Sequence, residues 1–487
     1  MMRNKKIILI SIISLFLIGY VSVYNSIGSQ ASYLQKIKFL ISQDIREFLK
    51  ETVFVFKNQE QLKRQLENKN KQLADKDKQL TQLADIPNIL GFIPFRLNKD
   101  INEFKTNNKK IYLKKYQTKI LFSSKSHKEG IGNSYLDYFD NNIFIATADG
   151  SFAYVNINEF DKDEFKASVI KSNIKDLIRY DRFYISSPHG IKDILIHKNK
   201  LYISYSNQVE KDCFNISILV SDLSLTELKF EKFFTPEICV SSAFRAGVSV
   251  NSYGEFNAYQ TGGRMVPYKN NKILFSVGEF RFRDYAQDKS NIFGKIISID
   301  INTKQYEIIS MGHRNPQGLY YDAQNNVIFS TEHGPQGGDE ININTNPGGE
   351  IENYGWPISS YGEHYGGKIL KRNKIKYEKA PLYKSHKDYG FIEPLKNFTP
   401  SIAISEIIKI PFEYNKIKKK QFFVGAMGNI PTGGYMSIHH FIISNDNIIL
   451  KHNIIPLNER IRDMIYVEEI NKIFLFLEST ASIGVLN

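Results

Sequence analysis

The sequence predicts an all-β fold: a six-bladed β-propeller, preceded by an N-terminal transmembrane helix and a helical stalk that could form a coiled coil. Three observations predict it: a strand pattern that recurs six times, an apolar run behind a basic N-terminus, and a leucine-rich segment between the two. The chain has 487 residues, 42% of them apolar, and a propeller can use that length as one unit with a large core.

Six short runs share one pattern of a polar turn, alternating apolar residues and a small or polar stop. Most follow another strand and an Asn-rich turn, so each pair is typical of a hairpin. Six such units separated by long insertions favour a propeller over a parallel β-helix, whose repeats are much shorter. The runs are 141–150, 199–207, 271–279, 326–334, 421–428 and 471–480.

The domain organisation follows from these patterns. A propeller must close on itself, and the alternating residues 109–123 are predicted to complete the last blade. Two prolines at 86–95 are predicted to end the helical region. The predicted divisions are a signal anchor at 1–29, a stalk at 30–86, a linker at 87–108 and the propeller at 109–487.

The N-terminus determines the predicted location. Residues 7–24 are an uncharged apolar run of 18 residues behind MMRNKK, just long enough to cross a bilayer. With the basic end in the cytoplasm, the chain is predicted to be a single-pass inner-membrane protein with its propeller on the periplasmic side. A cleaved signal peptide is the alternative, because small residues follow at 26–32, although no clean A-x-A site is present.

The predicted stalk carries Leu66, Leu73 and Leu80 at a spacing of seven, but Lys69 and Lys76 interrupt the neighbouring seam. Either the stalk joins copies into a homo-oligomer through a short coiled coil, or it is a single solvated helix.

Charge and cysteines restrict the function classes. The net charge of +13 is scattered, without an arginine-rich arm or a basic helix, so no nucleic-acid binding is predicted. Cys213 and Cys239 lie in two β-rich runs that could pair antiparallel. They either form one disulfide or remain two buried thiols.

Two loop regions carry the candidate chemistry. Glycines at 334–338 allow a tight turn that could direct carbonyl oxygens at Ca²⁺, with Asp339 and Glu340 close by; an ordinary glycine-rich connection is the alternative. Arg460 and Arg462, two residues apart on a strand, share a face and could hold a polycarboxylate or an o-quinone. An ion pair with a neighbouring acid is the alternative for them.

Five motifs together resemble one family, the quinoprotein glucose/sorbosone dehydrogenases. They are GHRNPQGL (312–319), EHGPQGGDEIN (332–342), NYGWP (353–357), TGGRM (261–265) and RIRD (460–463). The resemblance runs from about residue 130 to the C-terminus. It implies a six-bladed propeller that binds pyrroloquinoline quinone (PQQ) and calcium.

The resemblance also implies roles for single residues. Arg314 would polarise the quinone carbonyl that receives hydride, Asn315 would lie beside PQQ, and Arg460 and Arg462 would hold its carboxylates. The carbonyls of Gly334 and Pro335 would bind the calcium of the cofactor, and a further calcium would lie among Asp339, Glu340 and Tyr354.

Two positions depart from the family pattern. Gln260 stands where the family has the histidine that serves as general base, and glutamine cannot accept a proton near neutral pH. Gly428 stands where the family has a lysine. His189 is the first candidate for a substitute base, ahead of Tyr259 and His333, although each also fits a structural role.

The predicted function is therefore that of a membrane-anchored PQQ-dependent aldose dehydrogenase, an oxidoreductase with a small-molecule sugar as substrate. The alternative is a non-catalytic, calcium-containing propeller that binds carbohydrate or a partner protein.

Overall fold

A computed structural model describes residues 64–65, 67–69, 71–72, 91–106, 109–118, 133–180, 183, 189–241, 258–428 and 435–486. The chain divides into two units, Met1–Lys76 and Asp77–Asn487, and the fold below concerns the second. The predicted membrane span and the three leucines of the predicted stalk lie outside the described residues. Within the described ranges, no helix is both long and apolar enough to cross a bilayer.

The N-terminal half of the second unit is built from short antiparallel strands. Its strands are β1 (Phe92–Thr106), β2 (Lys109–Gln117), β3 (Ser134–Phe139), β4 (Asn142–Thr147), β5 (Phe152–Asn156), β6 (Glu164–Ser172), β7 (Ile191–His197), β8 (Lys200–Glu210), β9 (Cys213–Asp222), β10 (Glu227–Leu228), β11 (Glu231–Phe234), β12 (Gly262–Tyr268), β13 (Lys272–Val277), β14 (Lys295–Asp300) and β15 (Tyr306–Met311).

The C-terminal half continues the same pattern. Its strands are β16 (Pro316–Asp322), β17 (Val327–Glu332), β18 (Asp339–Asn344), β19 (Glu352–Asn353), β20 (Lys396–Phe398), β21 (Ile404–Lys409), β22 (Lys420–Ala426), β23 (Ser437–Ile443), β24 (Ile449–Pro456), β25 (Ile461–Val467), β26 (Lys472–Leu477) and β27 (Ser482–Leu486). In the described part of this unit, three short α-helices lie between strands: α1 (Ile174–Leu177), α2 (Lys374–Lys379) and α3 (Phe412–Asn415).

The strands form six four-stranded blades, and the innermost strands β3, β7, β12, β16, β21 and β25 contact one another in order around a closed ring. This is the predicted all-β propeller. Blades I to VI are β3–β6; β7, β8, β9 and β11; β12–β15; β16, β17, β18 and β20; β21–β24; and β25–β27 with β2.

The six runs that predicted the fold are all second strands of blades: β4, β8, β13, β17, β22 and β26. These strands are covered on both faces by neighbouring blades, so every residue of β4 and β17 is buried. This explains why their sequences are nearly continuous apolar runs.

An N-terminal strand closes the ring, as predicted. β2 pairs antiparallel with β27, for example Leu113 with Leu486, and so completes blade VI. The prediction of a linker at 87–108 is wrong for residues 92–106, which form β1 and join β2 to β6. Pro94 suggested a break, but it lies where β1 pairs with β6 alone, a position that tolerates proline.

The two cysteines form a disulfide in blade II. Cys213 begins β9 and Cys239 follows β11, its antiparallel neighbour, with 5.3 Å between their Cα atoms. The disulfide interpretation of the sequence is therefore confirmed, and the two free thiols are not present.

Candidate functional site

Arg314 lies in the connection between β15 and β16. Its Nη1 donates to the carbonyl oxygens of His333 (2.9 Å) and Gly334 (2.6 Å). The carboxylate of Glu332 accepts from the Arg314 backbone N–H and from His313 Nδ1 (2.9 Å). This buried carboxylate therefore fixes the arginine segment, and the guanidinium is held over the glycine-rich loop.

Gln260 lies beside Arg314. With its side-chain amide oriented to satisfy both ends, the nitrogen donates to Glu279 Oε1 (2.5 Å) and the oxygen accepts from Arg314 Nη2 (2.5 Å). Its backbone has a φ of 63°, in the left-handed region, and its carbonyl accepts from Phe280 N (3.0 Å). The structure thus brings together two residues that the sequence placed at the site.

Glu279 belongs to the site, although the sequence analysis missed it. Its side chain is fully buried, and within the described residues its Oε2 has no hydrogen-bond partner. Burial raises the pKa of this carboxyl, while the positive charges of Arg283, Arg314 and Arg281 act in the opposite direction. Glu279 follows β13 and lies within electrostatic range of all three guanidinium groups.

Arg460 and Arg462 converge on one carboxylate, Glu478. Arg462 donates from Nη2 (2.7 Å) and Nε (3.1 Å), and Arg460 donates from Nη2 (3.3 Å). The shared strand face predicted for the two arginines is therefore present. The ion-pair partner follows β26 and is not one of the sequence neighbours. Within the described part of the chain, the buried Nε of Arg460 has no acceptor.

A chain of hydrogen bonds links this pair to the Arg314 segment. Arg462 Nη1 donates to Gln317 Oε1 (3.4 Å), and Gln317 Nε2 donates to Asn315 Oδ1 (3.0 Å). His333 lies near both arginine groups: burial lowers its pKa, and Arg314 and Arg462 lower it further, against the effect of Asp339. The arginines therefore face one region.

This region is rich in guanidinium groups. Five of them lie around the carboxylates of Glu279 and Glu478, and the carboxylates of Glu332 and Asp339 lie in the same region. Such a cluster matches an anionic ligand with several carboxylates, because forked guanidinium donors suit carboxylate oxygens. The five groups belong to Arg281, Arg283, Arg314, Arg460 and Arg462.

A family model described as "Glucose / Sorbosone dehydrogenase" matches residues 138–482, which include all six inner strands except the first four residues of β3. The chain belongs to the glucose/sorbosone dehydrogenase family.

Two curated relatives share sequence with this family member. Aldose sugar dehydrogenase YliI of Escherichia coli (strain K12) is 30% identical over 220 residues, 42% of this chain and 53% of the relative. Quinoprotein glucose dehydrogenase B of Acinetobacter calcoaceticus is 31% identical over 123 residues, 22% of this chain and 24% of the relative. The chain therefore spans about half or less of the length of the curated relatives it matches.

Solved structures agree on the fold. The crystal structure of soluble aldose sugar dehydrogenase from Escherichia coli, in the apo-form, has a TM-score of 0.55 at 20% identity. The match covers 73% of this chain and 96% of that one. At this identity the similarity supports the fold alone, and the site must be judged on its own geometry.

In this glucose/sorbosone dehydrogenase family member, the backbone carbonyls of Gly334 and Pro335 in the glycine-rich loop could hold a cation; we call these two residues the cradle. A Cβ on Gly334 would lie 2.1 Å from the Gly338 carbonyl oxygen, so only glycine is accepted there. The Gly334 carbonyl accepts from Arg314, and the Pro335 carbonyl accepts from Ser401 Oγ (3.2 Å). Each carbonyl retains a second lone pair for a metal ion.

The residues assigned to a further calcium all contact protein groups. Asp339 caps the backbone N–H groups of Gly334 (3.0 Å) and Ile404 (3.1 Å). Glu340, its successor in β18, belongs to the opposite strand face. Among the described residues, no three His, Cys, Asp or Glu side chains are grouped as metal ligands.

A histidine occupies the space between the other two. His386 Nδ1 donates to the Tyr354 carbonyl (2.9 Å), and its Nε2 lies 3.2 Å from Glu340 Oε1. The Tyr354 hydroxyl meanwhile donates to Glu352 Oε2 (2.7 Å). An imidazole thus lies between two of the residues that the resemblance assigned to calcium, Glu340 and Tyr354. No motif in the sequence indicated it, because His386 lies 46 residues after Glu340.

The structure explains why position 428, one of the two departures from the family pattern, holds a glycine. A Cβ on Gly428 would lie 2.0 Å from the ring of Tyr435, so a lysine cannot be placed there without moving that ring. Another buried basic side chain, Lys192 of β7, lies within electrostatic range of Arg462. Burial, followed by the charge of Arg462, lowers the pKa of this amine well below its usual value.

The candidate substitute bases are dispersed. His189 is buried and packs edge-to-face on Tyr180, with 5.5 Å between ring centroids. Tyr259 is 40% exposed and lies under the guanidinium of Arg281 (5.0 Å). Of the three, His333 is the one whose pKa reflects both Arg314 and Arg462.

Proposed function

We propose that this chain is a PQQ-dependent sugar oxidoreductase, in which Arg314, Arg460 and Arg462 hold the cofactor. The observation that carries the proposal is the convergence of these buried guanidinium groups, which are linked through Gln317 and Asn315, together with an Arg460 Nε that has no acceptor among the described residues. PQQ is a quinone with several carboxylates, which matches that charge and donor geometry. When bound, PQQ supplies the quinone that accepts hydride from a sugar hydroxyl.

The protein's part is orientation and electrostatics. Arg314, pinned on the carbonyls of residues 333 and 334, presents a donor to an oxygen that gains negative charge. Arg460 and Arg462 bind carboxylates in exchange for part of their contact with Glu478. Gln260 orients the substrate hydroxyl but does not remove its proton, so turnover is expected to be about 10²–10⁴-fold below that of a site with a histidine there.

A second function is favoured by Gln260 together with Gly428. A chain that has lost the base position and the lysine position could have kept the propeller as a non-catalytic, calcium-containing module that binds carbohydrate or a partner protein. The retained arginine cluster argues against it, because an unliganded scaffold gains nothing from buried, partly unpaired guanidinium groups.

We also propose that the chain is a single-pass inner-membrane protein with a periplasmic propeller. The apolar run at 7–24 and its basic flank support this topology. The Cys213–Cys239 disulfide supports an oxidising compartment for the propeller. A stalk at 30–86 that forms a homo-oligomer is part of the same proposal.

The deciding experiment is calorimetric titration of the full-length chain with PQQ in the presence of calcium, alongside dye reduction with a panel of aldoses. We expect micromolar or tighter binding that Arg460→Ala and Arg462→Ala weaken. Arg96→Ala is the matched control, since that side chain is 77% exposed and pairs with Glu164 at the surface.

The outcomes separate the two functions. Binding with dye reduction supports the oxidoreductase. Binding without dye reduction for any aldose would mean that the site retains the cofactor but has lost the reaction. No PQQ binding at all would refute the cofactor site and leave the non-catalytic propeller.

A further inference from the structure

The connection between β19 and β20 carries an insertion, residues 365–379, with unusually exposed apolar side chains. Ile369 is 94% exposed, the highest value among large apolar residues in the described ranges. Tyr365 and Ile375 are 65% and 64% exposed. Single exposed apolar residues are common, but several in one short insertion indicate a surface that contacts something.

The same insertion is strongly basic. Its sequence contains one acidic residue, Glu378, and six basic ones. The helix α2 within it has no buried residue, so its lysines are presented to solvent. The basic residues are Lys368, Lys371, Arg372, Lys374, Lys376 and Lys379.

Buried polar contacts give the insertion a defined shape. Asn373 is fully buried and donates to the carbonyls of Tyr365 (3.1 Å) and Gly367 (2.7 Å). At its base, His364 Nε2 bonds the Ala380 carbonyl (2.8 Å). The exposure of the apolar side chains is therefore a property of a folded surface.

We propose that residues 365–379 dock on an anionic lipid bilayer, with Ile369 and Ile375 entering the interface and the lysines contacting lipid phosphates. Clustered lysines beside aliphatic side chains are typical of segments that lie at a charged membrane surface. Protein–protein interfaces instead favour Arg and aromatic residues and are depleted in Lys. Charge complementarity thus favours lipid over a protein partner.

The insertion is fastened to the loop of the candidate site. Gln336 and Glu363 exchange two backbone hydrogen bonds (2.9 and 2.8 Å), and Gln336 Oε1 accepts from Gly366 N (2.8 Å). Gln336 directly follows the Gly334–Pro335 cradle. Docking therefore turns this rim of the propeller towards the bilayer, whether or not the cradle holds a cofactor.

The test uses the full-length chain with Ile369→Cys labelled by a polarity-sensitive fluorophore. The two natural cysteines are bonded, so the new thiol reacts alone. Ile448→Cys is the matched control, because Ile448 is 61% exposed on blade V. Each protein is added to vesicles of phosphatidylglycerol or of phosphatidylcholine, with or without lipids that carry a quencher.

We expect a blue shift and lipid-dependent quenching at position 369 in phosphatidylglycerol, smaller changes in phosphatidylcholine, and none at position 448. Lys371→Glu/Lys374→Glu should abolish the change at 369, while the exposed pair Lys418→Glu/Lys419→Glu should leave it intact. No quenching at 369 in phosphatidylglycerol, or equal quenching in both lipids, would overturn the proposal. So would a blue shift without lipid that grows with protein concentration, which would indicate a second copy of the chain.

Discussion

Arg264 Nη1 lies 2.7 Å from Asp463 Oδ1 and so joins the inner strands of blades III and VI, on opposite sides of the ring. Arg264 Nη1 also lies 2.9 Å from carboxylate oxygens of Asp193 and Glu406. The Nε of Arg264 donates to the Gln317 carbonyl (2.7 Å). One buried guanidinium thus connects five blades and donates to the carbonyls of Gln317 and Arg462 at the candidate site. The arginine of the TGGRM motif therefore links the inner strands of the propeller to one another.

Replacing this arginine should destabilise the whole ring. Arg264→Met would leave Asp193, Glu406 and Asp463 buried without their cation, which typically costs about 3–5 kcal/mol. We expect that loss in the free energy of unfolding measured in urea. Arg96→Met, at an exposed ion pair, should change stability by less than about 1 kcal/mol. An equally small loss of unfolding free energy for Arg264→Met would contradict the proposal that Arg264 stabilises the ring by linking its blades.

The loss of unfolding free energy caused by Arg264→Met should also depend on pH. Burial raises the pKa of Glu406 to about 7 even with Arg264 opposing it, and removal of Arg264 would raise it further. A carboxyl with a raised folded-state pKa holds a proton that the unfolded chain releases, so its stability contribution is lost as pH rises. Unfolding at pH 5 and pH 8 should therefore show a smaller deficit at pH 5; a deficit independent of pH would argue against buried carboxylates.

Gln260→His should increase turnover if the proposed function holds. Position 260 already contacts Glu279 at 2.5 Å, so the carboxylate could orient an imidazole that then accepts the hydroxyl proton. We expect about 10²–10⁴-fold faster dye reduction, with PQQ affinity measured by calorimetry nearly unchanged. Its pH profile should gain a titration near the pKa of histidine.

A double variant serves as the control for this gain. In Gln260→His/Glu279→Gln, the imidazole loses its orienting anion, so most of the increase should disappear. If Gln260→His binds PQQ but reduces no more dye than the natural chain, position 260 is not the base position of this site.

The local pattern of the sequence predicted the blades because period-2 alternation needs only neighbouring residues. The second strands and the closing strand β2 were predicted on that basis. β1 was missed because Pro94 suggested a break, and only the pairing partners show that proline is tolerated there. Strand alternation also placed Arg460 and Arg462 on one face.

Residues whose role depends on contacts between strands were not predictable in this way. Glu279 and Glu478 follow strands without any motif, yet Glu279 lies near Arg314 of a later connection and Glu478 pairs with Arg460 and Arg462 at the neighbouring strand. His386 contacts Glu340 across 46 residues of sequence. The spacing of residues suggested calcium beside Glu340. Spacing alone does not show that a side chain from a later part of the chain, His386, lies next to that carboxylate.

Stability should fall in acid through His440. Burial, followed by the charges of Lys451 and His452, lowers the pKa of His440 to about 4, and its Nε2 bonds Gln421 Oε1 (2.9 Å). The unfolded chain binds this proton near pH 6.5, but the folded chain does not. Stability is therefore lost as pH falls from about 6.5 to 4, by about 3 kcal/mol in total.

Comparing the unfolding free energy of the wild type with that of His440→Gln isolates the contribution of His440, because the carboxylates titrate equally in both proteins. The wild type should lose about 3 kcal/mol more than the variant between pH 7 and pH 4 in urea unfolding. Parallel pH profiles for the two proteins would mean that His440 is protonated without penalty in the fold.

His386 should make the Glu340 region independent of calcium. The imidazole lies between Glu340 (3.2 Å from Nε2) and the Tyr354 carbonyl (2.9 Å from Nδ1), so a cation held by both groups would have to displace it. His386→Ala removes the bridge and leaves a buried carboxylate facing a carbonyl, a pair of oxygen ligands that suits Ca²⁺. We expect His386→Ala to lower the melting temperature, and millimolar calcium to recover part of that loss.

The wild type tested without PQQ is the reference for this experiment, and its melting temperature should change little between calcium and a chelator. His440→Ala, a buried histidine away from Glu340, should be destabilised without any recovery by calcium. Recovery specific to His386→Ala would show that the histidine occupies a latent cation site. If calcium instead stabilises the wild type as much as His386→Ala, the ion binds elsewhere, and the imidazole does not substitute for it.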